Sequence, residues 1–208
     1  MALAAPRTQI YSIDQEGWHF RVTVTIEATT LEDWIRGVKG EFLDAAEVKC
    51  VGLDCEFTYS RGKHCSLAPE KKQRAAVLQL CVAYQCLVFQ ICHADYVPDL
   101  LKEFLADPDI KFCGAAIQND QNRLKYYGIT IPGAIDLQKQ FKNPAPIDPP
   151  SLIALSNAYL GTNLSKNDPE TLQMRRGGWE VTPLSYKRAK YTALDARLGF
   201  ELARILWL

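Results

Sequence analysis

The sequence predicts an α/β fold: a mixed β-sheet flanked by helices, in one domain over residues 1–208. Three observations carry this. Apolar strand-like runs dominate the first ninety residues, and helix and strand then alternate, the order of a mixed sheet with covering helices. The chain has 208 residues, 48% of them hydrophobic and 23% charged, enough to bury a full core. Internal repeats, low-complexity tracts and convincing linkers are absent from the sequence.

In order along the chain, Thr8 to Ile13 and Phe20 to Ile26 read as two strands. Phe20, Val22, Val24 and Ile26 alternate with polar residues, as in a half-buried strand. Gln15-Glu16-Gly17 supplies a turn, which predicts a hairpin. Thr30, with Asp33 three residues on, resembles a capping box opening a helix that runs to about Phe42. Leu31, Trp34, Ile35 and Val38 share one face of that helix. Val51 to Phe57 is the next strand. Arg61 to Arg74 is polar and basic, a hairpin tip or long loop. Ala75 to Ala83 and Cys86 to Cys92 are apolar strands joined at Tyr84-Gln85, so the centre of the sheet is predicted antiparallel. A helix over Asp95–Leu105, a strand over Ile110–Gly114, a helix over Gln118–Tyr127 and a strand over Ala134–Leu137 follow. A proline-rich connection spans 144–150. Leu152–Leu160 is helical, 163–179 resists assignment, and Ser185 opens a last helix running nearly to Leu208.

Formal net charge is zero, so any nucleic-acid binding must rest on local basic clusters and bound metal. Seven cysteines, mostly in apolar runs and without a CxxC pair, predict buried reduced thiols and no structural zinc. The N-terminus lacks a signal-peptide pattern, and no apolar run approaches the roughly 20 residues of a membrane span. The expectation is no membrane partner and a cytoplasmic or nuclear location.

The stretch Val51-Gly-Leu-Asp-Cys-Glu-Phe57 organises the candidate chemistry. Alternation puts Asp54 and Glu56 on one side of the strand and Val51, Leu53, Cys55 and Phe57 on the other. Two neighbouring acids on a strand repel, and a divalent cation relieves that repulsion. The alternative is an ordinary strand end with solvated acids. Asp120 lies at the start of a helix after Gly114-Ala-Ala, where it is either a capping residue or a ligand. Tyr191 and Asp195 are four apart on the last helix and share one face. They serve one site or form a surface pair.

Taken jointly, Asp-x-Glu on a strand, Asp after a strand-to-helix turn and Tyr-x-x-x-Asp on a late helix resemble the Tyr-bearing branch of the DEDD 3′-5′ exonuclease superfamily. Val51–Phe57, Ala76-Val-Leu-Gln-Leu-Cys81, Trp179-Glu180, Pro183-Leu-Ser and Tyr191-Thr-Ala-Leu-Asp-Ala196 are similar to the Werner-syndrome-type exonuclease domain. The resemblance covers about residue 20 onward. In size the chain is similar to the small stand-alone plant proteins of the RISC-interacting clearing exoribonuclease type. The expectation is a nuclease domain without the helicase and helical nucleic-acid-binding regions of larger relatives.

The resemblance implies a ribonuclease-H-like (DnaQ-like) fold and removal of nucleotides from the 3′ ends of single-stranded RNA or DNA, with RNA ahead of DNA. It implies two divalent ions, Mg²⁺ or Mn²⁺. Asp54, Glu56 and Asp195 would hold the metal that carries the attacking water, and Asp54 would bridge to a second held partly by Asp120. Tyr191 would orient the water. Phe57 and Thr58 stand where relatives position the terminal nucleotide, although strand parity points Phe57 toward the core. Arg61, Lys63, Lys187 and Lys190 are candidate phosphate contacts. Self-association as a homo-oligomer is a further implication. The competing expectation is a catalytically silent module of the same fold that binds nucleic acid without cutting it.

Overall fold

A computed structural model describes residues 6–59, 73–144, 146–165, 169–175 and 177–207. Arg61, Lys63, His64 and Cys65 therefore lie outside the described residues. Among the described residues seven strands form one sheet: β1 (Thr8–Gln15), β2 (Trp18–Thr25), β3 (Lys49–Tyr59), β4 (Gln73–Val82), β5 (Gln85–Phe89), β6 (Ile110–Gly114) and β7 (Ala134–Asp136). Their order across the sheet is β1-β2-β5-β4-β3-β6-β7. The β1–β2, β5–β4 and β4–β3 pairs are antiparallel, whereas β2–β5, β3–β6 and β6–β7 are parallel. This is the mixed sheet the sequence predicts.

The β1–β2 hairpin turns at Glu16 and Gly17, both left-handed (φ 53° and 77°), the geometry of a tight two-residue turn. The β4–β5 hairpin turns one residue earlier than expected, at Ala83-Tyr84, with Ala83 at φ 48°. The parallel contact of β2 with β5 joins segments some sixty residues apart, and no local pattern announces it.

Seven α-helices are described: α1 (Ala28–Val38), α2 (Asp99–Ala106), α3 (Gln118–Leu124), α4 (Leu137–Gln140), α5 (Leu152–Tyr159), α6 (Pro169–Arg175) and α7 (Tyr186–Trp207). The first begins before the expected Thr30 cap, because its N-terminus is satisfied from elsewhere. Asp95 Oδ1 accepts from Ala28 N at 3.0 Å, and Thr8 holds the Glu27 carboxylate at 2.7 Å. The α-helical hydrogen bonding ends at Val38, and a wide turn over Lys39–Leu43 completes the apolar stripe. Asp95 is thus a cap for α1 rather than the start of the next helix. That helix begins after Pro98, a residue suited to helix starts. No local pattern announces two short helices, α4 and α6: α4 is a single turn, and α6 lies in a polar stretch without apolar periodicity.

Ser185 Oγ accepts from Arg188 N and opens α7, as the sequence suggests. Residues 195–203 of this helix are all buried, so this stretch is covered on every side. It lies across β3, β4, β5 and β6. Leu206 and Trp207 pack against the core, with Lys111 over the Trp207 ring.

Helix α7 also carries a buried ion pair. Arg197 pairs with Glu201 and donates to the Ala83 carbonyl in the β4–β5 turn, and Arg204 reaches Glu201 at 3.0 Å. Removing Glu201 strands the Arg197 charge in the interior. Glu201→Leu is expected to cost about 3 kcal/mol, read as a lower urea midpoint at unchanged m-value. A midpoint equal to wild type would show that the pair contributes nothing net.

Five cysteines, Cys50, Cys55, Cys81, Cys86 and Cys113, are buried and free, and Cys92 is free and half-buried. Burial pushes the Cys50 and Cys92 thiols up to about 11.

Candidate active site

The site begins with the pleat of β3. Val51, Leu53 and Cys55 are buried in the core, and Asp54 and Glu56 are half-buried on the opposite face. That face is covered by α7, because β3 carries Gly52 where the helix crosses. A Cβ on Gly52 would overlap the Ala196 carbonyl and stand 2.6 Å from Phe200 N. A Cβ on the facing Gly199 would stand 2.8 Å from the Cys113 carbonyl. Two glycines thus let helix and strand backbones touch.

This close approach delivers Asp195, 6% exposed, to the strand acids. One carboxylate oxygen from each of Asp54, Glu56 and Asp195 lies within 4.8 Å of the other two. Three anions this close need a cation or protons. Oxygen donors suit a hard divalent ion. Magnesium–oxygen bonds of about 2.1 Å place opposite ligands about 4.2 Å apart. Neighbouring ligands of such an ion stand about 3.0 Å apart and three ligands include at most one opposite pair, so oxygens up to 4.8 Å apart draw together to hold it.

Asp120 enters from α3. It is 3% exposed, and burial raises its carboxyl well above the usual carboxylate range, with Asp54 the next cause and Glu56 and Asp136 adding. Its electrostatic partners thus include both strand acids, although it stands outside the group of three. The turn before α3 is held by Asp136, whose Oδ1 accepts from Ala116 N and Gln138 N, both at 3.1 Å. Ala116 is left-handed (φ 56°), an uncommon conformation for a residue with a Cβ. Sequence reading passed over Asp136; its only local signal is an acid between a short strand and a helical turn.

Tyr191 sits one turn before Asp195. Its ring stacks on Trp179 at 5.9 Å between centroids and 28° between planes. Tyr191 and Asp195 line a cleft of about 300 Å³ together with Lys187, Lys190, Leu164 and Met174. The two lysines named as phosphate contacts therefore open onto the same cleft as the α7 acid. Phe57 is half-buried, with the Arg123 guanidinium 4.0 Å from its ring centroid. Thr58 is buried and donates to Glu180 Oε2 at 3.2 Å.

Comparison with known proteins bears on what these groups do. The sequence profile of a 3′-5′ exonuclease domain matches residues 24–208. The chain belongs to this 3′-5′ exonuclease family. Among relatives of the exonuclease domain, a Drosophila melanogaster protein called exonuclease 3′-5′ domain-containing protein 2 is 29% identical over 156 residues, 74% of this chain and 24% of that protein. An Arabidopsis thaliana 3′-5′ exonuclease is 29% identical over 166 residues, 78% of this chain and 54% of that one. The chain thus spans about half or less of the relatives it matches. In structure it is similar to Escherichia coli RNase D, described as an exoribonuclease involved in structured RNA processing. The TM-score is 0.62 at 20% identity, over 89% of this chain and 46% of that one. That likeness establishes the ribonuclease-H-like fold.

Proposed function

We propose that this exonuclease domain removes nucleotides one at a time from the 3′ ends of single-stranded nucleic acid, RNA ahead of DNA. The observation that carries the reading is the meeting of Asp54, Glu56 and Asp195 within 4.8 Å, from a strand and a helix about 140 residues apart in sequence, in a chain of this family. Asp54, Glu56 and Asp195 would hold one divalent cation, and Asp54 with Asp120 a second. Bound there, Mg²⁺ or Mn²⁺ supplies charge stabilisation to the phosphodiester and lowers the pKa of water.

The protein's own groups do the rest. Tyr191 positions the water through its hydroxyl. Lys187 and Lys190, on the cleft wall, neutralise phosphates of the strand leading in. Phe57 and Thr58 already have partners in Arg123 and Glu180. Any contact they make with the terminal nucleotide would exchange those partners. The buried free thiols support a reducing compartment, cytoplasm or nucleus. Self-association is read by light scattering.

A 5′-labelled oligonucleotide, as RNA and as the matched DNA, tests the reading with and without EDTA. A ladder of shortened products that requires Mg²⁺ or Mn²⁺, faster on RNA, is the expected result. Substrate shifted on a native gel but uncut would mark a binding module of the same fold.

The cluster also sets the thermal response. Divalent cation at a hundred times its Kd is expected to add about 2.7 kcal/mol of stability. Asp54→Asn removes one of the crowded negative charges. Its metal-free melting temperature is expected to equal or exceed wild type, and the rise on adding Mn²⁺ to disappear. A full rise in Asp54→Asn would remove Asp54 from the ligand set.

A further inference from the structure

The segment just ahead of α7 is tied down from several sides. Gly177 and Gly178 are both left-handed (φ 125° and 80°), a backbone path that favours glycine. Arg188, one turn into α7, donates to the Gly177 carbonyl at 2.9 Å, and its guanidinium lies 4.5 Å from the centre of the Trp179 ring. Beyond Trp179, the Glu180 carbonyl meets His93 Nε2, and Gln90 Nε2 donates to the Val181 carbonyl at 2.9 Å. Thr58, at the end of the carboxylate strand, donates to the Glu180 side chain. The strap is thereby bonded to β3, to the segment after β5, and to α7.

What the strap holds in place is one indole. Trp179 is 1% exposed, and its ring stacks on Tyr191. A tyrosine ring on a helix edge facing a cleft turns about χ1 and χ2 unless something packs on it. A flat apolar neighbour restricts that rotation, and aromatic stacking adds about 0.5–1.5 kcal/mol of preference for one orientation.

We infer that Trp179 is a positioning residue for Tyr191: by stacking on the phenol ring it sets the direction of the hydroxyl over the carboxylate cluster. Arg188 and the Gly177-Gly178 turn hold the indole for this task. The inference rests on the role proposed for Tyr191, and its test separates the two.

Trp179→Phe and Trp179→Leu are compared with wild type, alone and combined with Tyr191→Phe. Trp179→Leu is expected to lower kcat roughly ten- to a hundredfold, the range for residues that orient an active group, with KM within about twofold of wild type. Trp179→Phe, which keeps a stacking ring, restores most of the loss. In the Tyr191→Phe background Trp179→Leu costs little more, because the hydroxyl it would aim is gone. A second readout needs neither metal nor turnover. In protein labelled with ¹³C-tyrosine, the Tyr191 ring resonances carry a ring-current shift that Trp179→Leu abolishes and Trp179→Phe largely keeps.

Multiplicative losses in the double variant, or a fall in Trp179→Leu that appears wholly in KM, would overturn the inference. Unchanged Tyr191 resonances in Trp179→Leu would do so as well. If Tyr191→Phe alone turns over at the wild-type rate, it is the role of Tyr191 that fails. The ring resonances then still report whether Trp179 fixes that side chain.

Discussion

Asp195→Asn is expected to lower the exonuclease rate on the order of a thousandfold or more while leaving the melting temperature at or above that of the wild type. The two halves have one cause. Asp195 is 6% exposed and lies within 4.8 Å of Asp54 and Glu56, so its charge is costly to the folded protein without a cation and valuable with one. Asn preserves the shape and removes the charge. Without metal this relieves repulsion. With metal it withdraws several kcal/mol of charge stabilisation, each ~1.4 kcal/mol being a tenfold change in rate. Asp54→Ala is expected to abolish turnover for the same reason. Single-turnover rates on a labelled strand at saturating Mn²⁺, beside melting curves in EDTA, measure both halves. Wild-type turnover in either variant would remove the cluster from the chemistry.

Gly52→Ala is expected to damage the fold and the site together. Its new methyl would overlap the Ala196 carbonyl and stand 2.6 Å from Phe200 N. Both obstacles are backbone of a buried helix, so no side chain can swing away. Overfilling a packed interior costs typically 1–3 kcal/mol, and the absence of a flexible neighbour puts this case at or above the top of that range. To relieve the overlap α7 must lift from β3, carrying Asp195 away from Asp54 and Glu56. The expected outcome is a loss of about 3 kcal/mol or more in urea unfolding, and a metal-induced thermal rise much smaller than wild type in whatever remains folded. A Gly52→Ala protein with wild-type stability would show that helix and strand do not touch there. Gly52→Ala thus differs from Asp195→Asn in its signature: one loses stability and activity, the other activity alone.

Much of this site was legible from local pattern. Alternation along Val51–Phe57 put Asp54 and Glu56 on one side, and β3 carries them so. Four-residue spacing put Tyr191 and Asp195 on one helical face, and both line one cleft. Strand identities through the centre of the sheet followed from apolar runs and turn residues. The errors fell where a distant partner overrode a local signal. Thr30 and Asp33 look like a helix start, but Asp95 caps α1 from 67 residues away. Asp95 looks like a helix start in its turn, until that bond is seen.

The sequence alone determined which face of its strand or helix each candidate side chain occupies, because pleat and helical pitch are properties of the backbone itself. It could not determine that β2 would lie parallel to β5, that Asp136 would brace the turn before Asp120, or that Trp179 would stack on Tyr191. Those are contacts between segments whose separation along the chain carries no periodic signal. Only the tertiary structure decided them, by closing backbone against backbone at Gly52 and Gly199 so that acids from a strand and a helix meet.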